Sequence, residues 1–111
     1  MTTNKMLGID LIYLPEFKTK LKTVQLGKFF LEIELSQNKT QESLAGVFGA
    51  KEAFFKAIGK KEDWLSVWIE KTKEGKPELK STLIGSNQKA EVSISHSGDY
   101  AVAVVMIKDE G

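Results

Sequence analysis

The chain has 111 residues and a formal net charge of +1, from 16 basic and 15 acidic side chains. Hydrophobic residues make up 41% of the sequence and charged residues 28%, a balance that predicts one domain with one core. The small net charge excludes the strong electrostatic field of a nucleic-acid binder or of a polybasic membrane anchor.

The composition also limits the chemistry. All 16 basic residues are lysine, so no guanidinium fork is available to bind a carboxylate or a phosphate. The absence of cysteine and the single histidine exclude disulfides, a thiolate zinc site, a cysteine nucleophile and a multi-histidine metal cage. Asp10 interrupts the apolar run 6–14, which argues against a signal peptide. We therefore expect a soluble, cytoplasmic protein.

The first part of the chain predicts a strand followed by helices. Residues 6–12 are short and apolar, which indicates a buried strand, and Pro15 fits the first turn of a following helix. Apolar residues then recur at helical spacing, whereas Lys18, Lys20 and Lys22 mark the exposed face of that helix. Residues 26–35 predict further short helical turns.

The clearest helix is predicted over residues 41–58, ended by Gly59 in the position of a left-handed cap. Gly46 and Gly49 inside this helix each cost about 1 kcal/mol relative to alanine, which suggests a packing or functional reason for them. With Ala50, Ala53 and Ala57 they form a stripe of small residues along which another backbone can approach closely.

The second half of the chain predicts strands. Residues 67–72 and a return through Leu79 flank a turn at 74–77, and the alternating segment 92–97 turns at Gly98-Asp99 into the apolar strand 100–107. The order of strand, helices and then strands predicts an α+β fold, with an antiparallel sheet packed on a long central helix. No linker or repeat divides residues 1–111.

Three features of the sequence combine polar chemistry with apolar surroundings. Asp10 needs a cation, a metal or hydrogen-bond donors, and taken alone it is best explained by backbone amides at the next turn. Glu52 and Lys56 have the spacing of a helical ion pair, although Glu52 lies among apolar neighbours. His96 is in phase with Val92 and Ile94, which by itself favours a packing role.

Taken together and in order, these segments resemble the holo-acyl-carrier-protein synthase family of small 4'-phosphopantetheinyl transferases. The resemblance covers residues 8–105 and rests on the Gly8-Ile9-Asp10 strand, the helix motif 48–57, Gly75-Lys76-Pro77 and the hairpin 93–104. Lys51-Glu52-Ala53 and Ser95-His96-Ser97 are its most diagnostic parts. It implies the matching 4'-phosphopantetheinyl transferase fold.

The resemblance implies transfer of phosphopantetheine from coenzyme A to a serine of an apo acyl carrier protein, with adenosine 3',5'-bisphosphate released and magnesium required. By resemblance, Asp10 and Glu52 are the metal ligands, Lys56 contacts the diphosphate, and His96 helps bind a coenzyme A phosphate. Glu52 or a metal-bound water takes the serine proton, and the residues do not distinguish these two bases. The family forms trimers with active sites between subunits, which predicts a homotrimer.

Several positions depart from the family pattern. Glu16 and Val47 stand where the family usually has arginine, the first for docking the carrier and the second near the nucleotide phosphates. Positions 28 and 31 also differ, and the glycine-containing loop after the helix is reduced to residues 60–63. Lys18 and Lys22, with Lys20 between them, can still attract an acidic carrier protein, although an ordinary solvated face gives the same pattern.

Two other functions stay open, the first because of these departures and the second because the same carboxylates could serve another nucleophile. The chain could bind coenzyme A or a nucleotide without turnover, or it could be a metal-dependent phosphodiesterase that uses water as the nucleophile. The pathway served by the carrier, whether fatty-acid, polyketide or peptide synthesis, stays open too; fatty-acid synthesis is our working expectation.

Overall fold

The computed structural model describes residues 4–110. The strand and helix order agrees with the predicted α+β class, and the elements are β1 (Lys5–Tyr13), α1 (Leu14–Leu21), α2 (Glu32–Gln37), α3 (Gln41–Ile58), β2 (Val67–Lys71), β3 (Pro77–Ser81), β4 (Gln88–Ser97) and β5 (Tyr100–Asp109). Short 3-10 helices cover Leu26–Lys28 and Trp64–Ser66. Within residues 4–110, no helix has the length and apolar character needed to span a membrane.

Three strands form an antiparallel sheet in the order β1-β5-β4, and β2 pairs with β3 in a separate hairpin. Along β5 the side chains alternate, so that Ala101, Ala103, Val105 and Ile107 face inward and are buried. This inward face packs on α3, as the predicted helix-on-sheet arrangement requires.

The prediction that β1 is a buried strand is wrong for one of its two faces. Leu7, Ile9, Leu11 and Tyr13 are 68%, 58%, 61% and 44% exposed. They alternate with inward-facing residues and pair with the outward positions of β5, including Tyr100 opposite Tyr13. A continuous apolar run does not show which face is covered, so local sequence could not separate the two faces. We call these four side chains the β1 apolar strip.

Helix α3 has the predicted bounds and ends, as predicted, at Gly59, whose φ of 77° places it in the left-handed region. The stripe of small residues does admit another backbone. A Cβ atom built on Gly8 of β1 would lie 1.8 Å from the carbonyl oxygen of Ala53 and 2.8 Å from the backbone nitrogen of Ala57. Only glycine therefore permits this approach of β1 to α3.

A buried ion pair connects α3 to the segments that precede and follow it. Lys51 and Glu34 are both fully buried, and Lys51 Nζ lies 2.7 Å from Glu34 Oε1. The ammonium also donates to the carbonyl oxygens of Phe29, at 2.7 Å, and Trp64, at 3.0 Å. Burial lowers the pKa of Lys51, and the Glu34 carboxylate opposes that shift. All three ammonium protons thus have acceptors.

The contact at Gly8 generates a stability prediction. We expect Gly8→Ala to lower the free energy of unfolding by about 1–3 kcal/mol or more, because the added methyl group meets backbone that cannot rotate away. Urea denaturation followed by circular dichroism measures the change. Gly27→Ala is the matched control, since nothing lies within 4 Å of a Cβ atom built there. Equal midpoints for the two variants would contradict the proposed constraint.

Candidate active site

Asp10 lies on the face of β1 that is turned towards α3. Its Oδ1 atom is 2.8 Å from Nζ of Lys56, and its side chain is only 13% exposed. The same ammonium donates to the carbonyl oxygen of Ile9 at 3.1 Å. The partner of this carboxylate is therefore a lysine from α3, and not the backbone amides of the next turn that Asp10 alone suggested.

Glu52 precedes Lys56 by one turn of α3 but forms its ion pair elsewhere. Its Oε1 atom is 3.1 Å from Nζ of Lys61, and its side chain is 22% exposed. The i,i+4 pair between Glu52 and Lys56 that the spacing indicated is thus replaced by two others, Asp10 with Lys56 and Glu52 with Lys61. Strand β1 supplies a competing carboxylate for Lys56, which the helical spacing alone could not show.

The electrostatics favour a charged Lys56. Its hydrogen bond to Asp10 raises the pKa of the ammonium, and the charges of Asp10 and Glu52 act in the same direction. Lys56 therefore stays protonated throughout the neutral range. Two carboxylates and two ammonium groups make up this cluster.

Asp10, Glu52 and Lys61 line one open groove with a volume of about 570 Å³. Its remaining wall is mostly apolar and aromatic and includes Phe29, Phe48 and Trp64. The rings of Phe48 and Trp64 stack with their centroids 4.8 Å apart. The groove thus combines a charged end with an aromatic wall, which suits a ligand that has an anionic part and a less polar part.

His96 lies in a different place in the chain. Its Nε2 atom is 2.9 Å from the carbonyl oxygen of Glu42, in the first turn of α3. The ring lines a cavity of about 140 Å³ together with Ser43, Val47 and Lys71, and that cavity shares no lining residue with the groove of Asp10 and Glu52. A single chain therefore does not bring His96 together with the two carboxylates.

The lysines of α1 have unequal environments. Lys18 Nζ is 3.0 Å from Glu42 Oε1, so this lysine is already paired with the start of α3. Lys22, at the end of α1, is exposed, and Lys20 and Glu16 line the groove. The predicted docking pair therefore splits into one lysine engaged within the chain and one that faces solvent.

Lys61 is a charged residue of the groove that the sequence patterns did not identify. It lies outside the periodic helix and nine residues after Glu52, where no helical spacing rule connects the two. Gly59 provides the only signal, because a left-handed cap reverses the chain and lets the following residues fold back over the last turns.

Comparison with known proteins agrees with this geometry. Residues 6–105 match the family model of the 4'-phosphopantetheinyl transferase superfamily. A holo-[acyl-carrier-protein] synthase from Campylobacter fetus is 36% identical over 94% of this chain and 100% of its own length. Another from Nautilia profundicola is 33% identical over 92% of this chain and 98% of its own length.

Solved structures show the same fold. The holo-(acyl-carrier-protein) synthase of Bacillus anthracis, in complex with CoA (3',5'-ADP), has a TM-score of 0.82 and 29% identity, with 94% of this chain and 96% of that chain covered. The Helicobacter pylori enzyme in complex with coenzyme A has a TM-score of 0.82 and 26% identity, covering 92% and 99%. The chain therefore belongs to the 4'-phosphopantetheinyl transferase superfamily and is an enzyme of the holo-[acyl-carrier-protein] synthase type.

Proposed function

We propose that this chain transfers the 4'-phosphopantetheine arm of coenzyme A to a serine of an apo acyl carrier protein and releases adenosine 3',5'-bisphosphate in a magnesium-dependent reaction. The observation that carries the proposal is the meeting of Asp10 from β1 with the Glu52 and Lys56 region of α3, beside a groove. The relatives named as holo-[acyl-carrier-protein] synthases and the related structures with coenzyme A support the substrate pair.

The donor set suits magnesium. Magnesium is commonly held by one or two carboxylates, with substrate phosphates and water completing its coordination, and Asp10 and Glu52 line the same groove. Among residues 4–110, no three histidine, cysteine, aspartate or glutamate side chains form a potential metal cluster. Asp10 and Glu52 would hold the ion, which when bound would neutralise diphosphate charge and orient the substrate.

The chain's own residues account for the remaining chemistry. The serine oxygen attacks the phosphorus that bears the pantetheine arm, a new P–O bond forms, and the bond to the nucleotide phosphate breaks. Lys56, kept protonated beside Asp10, binds the diphosphate and stabilises the charge that develops on the leaving phosphate. Glu52 is a carboxylate of the groove that can accept the serine proton.

The assembly is proposed to be a homotrimer with sites between subunits. The β1 apolar strip gives the chain an exposed hydrophobic surface of the kind that oligomer interfaces cover. In such an assembly His96 of one subunit binds a coenzyme A phosphate at a site whose Asp10 and Glu52 belong to its neighbour. The separation of His96 from the carboxylate groove within one chain is consistent with this division.

Carrier docking is assigned to α1. An acidic carrier protein would be attracted by Lys18 and Lys22, although Lys18 also neutralises Glu42. An ammonium group supplies charge without the fixed geometry of a guanidinium fork, so this contact steers the carrier more than it fixes its orientation. We also propose that the protein is cytoplasmic and that its acyl carrier protein serves fatty-acid synthesis.

The first test of this proposed function concerns the two carboxylates. We expect Asp10→Asn and Glu52→Gln each to reduce magnesium-dependent transfer by about 100-fold or more, because each removes a charged metal ligand. Intact-protein mass spectrometry of an apo acyl carrier protein, incubated with enzyme, coenzyme A and magnesium, measures the arm gained. A chelator-treated sample and the distant Glu91→Gln variant are the controls.

Several results would contradict the assignment. Turnover close to that of the unaltered protein in either carboxylate variant would remove that residue from the metal site. Binding of coenzyme A without any mass gain would indicate a binding module, and release of free phosphopantetheine would indicate a phosphodiesterase.

A second prediction tests carrier docking. We expect Lys22→Glu to raise the KM for carrier protein about threefold or more and to leave the KM for coenzyme A unchanged, because the substitution repels an acidic partner. Lys73→Glu, at an exposed lysine of the turn between β2 and β3, is the control with the same change of charge. Equal effects of Lys22→Glu on both KM values would argue against docking at this site.

A third prediction tests the shared site. We expect light scattering to give three times the 12.4 kDa chain mass. His96→Ala is expected to lower activity because it removes a contact with a coenzyme A phosphate. We also expect a 1:1 mixture of Asp10→Asn and His96→Ala, after subunit exchange, to regain activity at roughly a quarter of the sites, since random mixing leaves that fraction with both residues intact. If each site lies within one chain, every chain carries one defect and mixing restores nothing. A fully active monomer would exclude the trimer.

A further inference from the structure

Lys61 has a defined position at the charged end of the groove. Its Nζ atom is 3.1 Å from Glu52 Oε1 and 4.7 Å from the ring centroid of Trp64. The second distance is within the range of a cation–π interaction, which holds an ammonium near the aromatic ring. Lys61 thus has two independent contacts, one with Glu52 and one with the Trp64 ring, that keep its ammonium at this end of the groove.

The surroundings of Lys61 favour this placement. Trp64 begins the 3-10 helix Trp64–Ser66 and stacks on Phe48 of α3, and Asp63 accepts a hydrogen bond from the amide of Leu65 at 2.9 Å. The carbonyl of Trp64 accepts a hydrogen bond from the buried Lys51 ammonium. The ring beneath Lys61 is therefore anchored to α3 and to the core.

The neighbouring Lys60 has a different partner. Its Nζ atom is 3.3 Å from Glu62 Oε1 within the same loop, and it does not line the groove. The two adjacent lysines are similarly exposed, at 62% for Lys60 and 60% for Lys61. Of these two lysines, only Lys61 lines the groove and pairs with a carboxylate of the candidate metal site. Lys60 is therefore a matched control for substitutions of Lys61.

We propose that Lys61 is a counter-ion of Glu52 that competes with the divalent cation and lowers the apparent metal affinity of the site. This inference rests on the metal ligands assigned under the proposed function. The same carboxylate charge attracts both the ammonium and the metal ion, and a carboxylate neutralised by an ammonium 3.1 Å away attracts a second cation less strongly. A divalent cation at Glu52 therefore has to compete with the Lys61 ammonium for the same carboxylate.

The expected size of the effect follows from the exposure of the pair. Exposed ion pairs change an equilibrium constant by no more than about fivefold. We expect Lys61→Met, which keeps the side-chain stem over Trp64 and removes the charge, to bind a divalent cation about two- to fivefold more tightly. Lys61→Arg keeps the charge and is expected to bind within about a factor of two of the unaltered protein.

Manganese provides a direct measurement that does not depend on turnover. Mn²⁺ is titrated into the full chain without coenzyme A, and electron paramagnetic resonance of the free ion gives the Kd. Lys60→Met is the control and is expected to leave the Kd unchanged. In a Trp68→Phe background, which leaves Trp64 as the sole indole, titration with Mg²⁺ is expected to change the Trp64 emission as Lys61 leaves the ring.

The outcomes separate this inference from the proposed function. An unchanged or larger Kd in Lys61→Met, or the same decrease of Kd in Lys60→Met, overturns the role of Lys61 even if transfer by the unaltered protein is normal. A protein that binds no Mn²⁺, either alone or with coenzyme A present, overturns both the metal assignment and the role of Lys61. If Lys61→Met binds Mn²⁺ more tightly but the unaltered protein transfers no phosphopantetheine arm, the result supports the counter-ion role of Lys61 and overturns the proposed reaction.

Discussion

The close approach of the Gly8 backbone to the Ala53 carbonyl is the contact on which the candidate active site depends. Strand β1 lies against α3 only because position 8 has no side chain. Asp10 follows Gly8 by two residues and therefore shares its inward face. Glu52 and Lys56 lie close to Ala53 on the helix. The glycine at position 8 therefore lets Asp10 of β1 approach the charged residues of α3 at one end of the groove.

The buried Lys51–Glu34 pair holds the other wall of that groove. Glu34 accepts hydrogen bonds from the amides of Leu31 and Ile69, both at 2.9 Å, in addition to the Lys51 ammonium. Breaking such a pair by removing one partner typically costs about 3–5 kcal/mol, because the remaining charge stays buried. Lys51 binds the Phe29 and Trp64 carbonyl oxygens, and the next residue of α3, Glu52, faces the groove. The packing of the helix thus also fixes the direction of its carboxylate.

Much of the fold could be predicted, because its signals are local. Periodicity and the Gly59 cap define α3, and alternation defines the β4–β5 hairpin. The exposed face of β1 could not be predicted, since burial depends on what covers a face. The resemblance to a known family selected Asp10 and Glu52 as candidates, but their real partners required tertiary structure. Lys56 reaches across to β1, and Lys61 reaches back after the chain reverses at Gly59.

The two halves of the charged cluster differ in how firmly they are held. The carboxylates of Asp10 and Glu52 are 13% and 22% exposed, whereas Lys56 and Lys61 are 55% and 60% exposed. The carboxylates lie on a strand and a helix that pack against each other, whereas each lysine is held by exposed, individually weak contacts at the end of a long side chain. An ammonium also lacks the fork geometry that would bind it to one partner. Carboxylates held by the fold and ammonium groups that can exchange partners are the arrangement that the proposed binding of metal and phosphate requires, because each ligand would bind by replacing one ion pair with another.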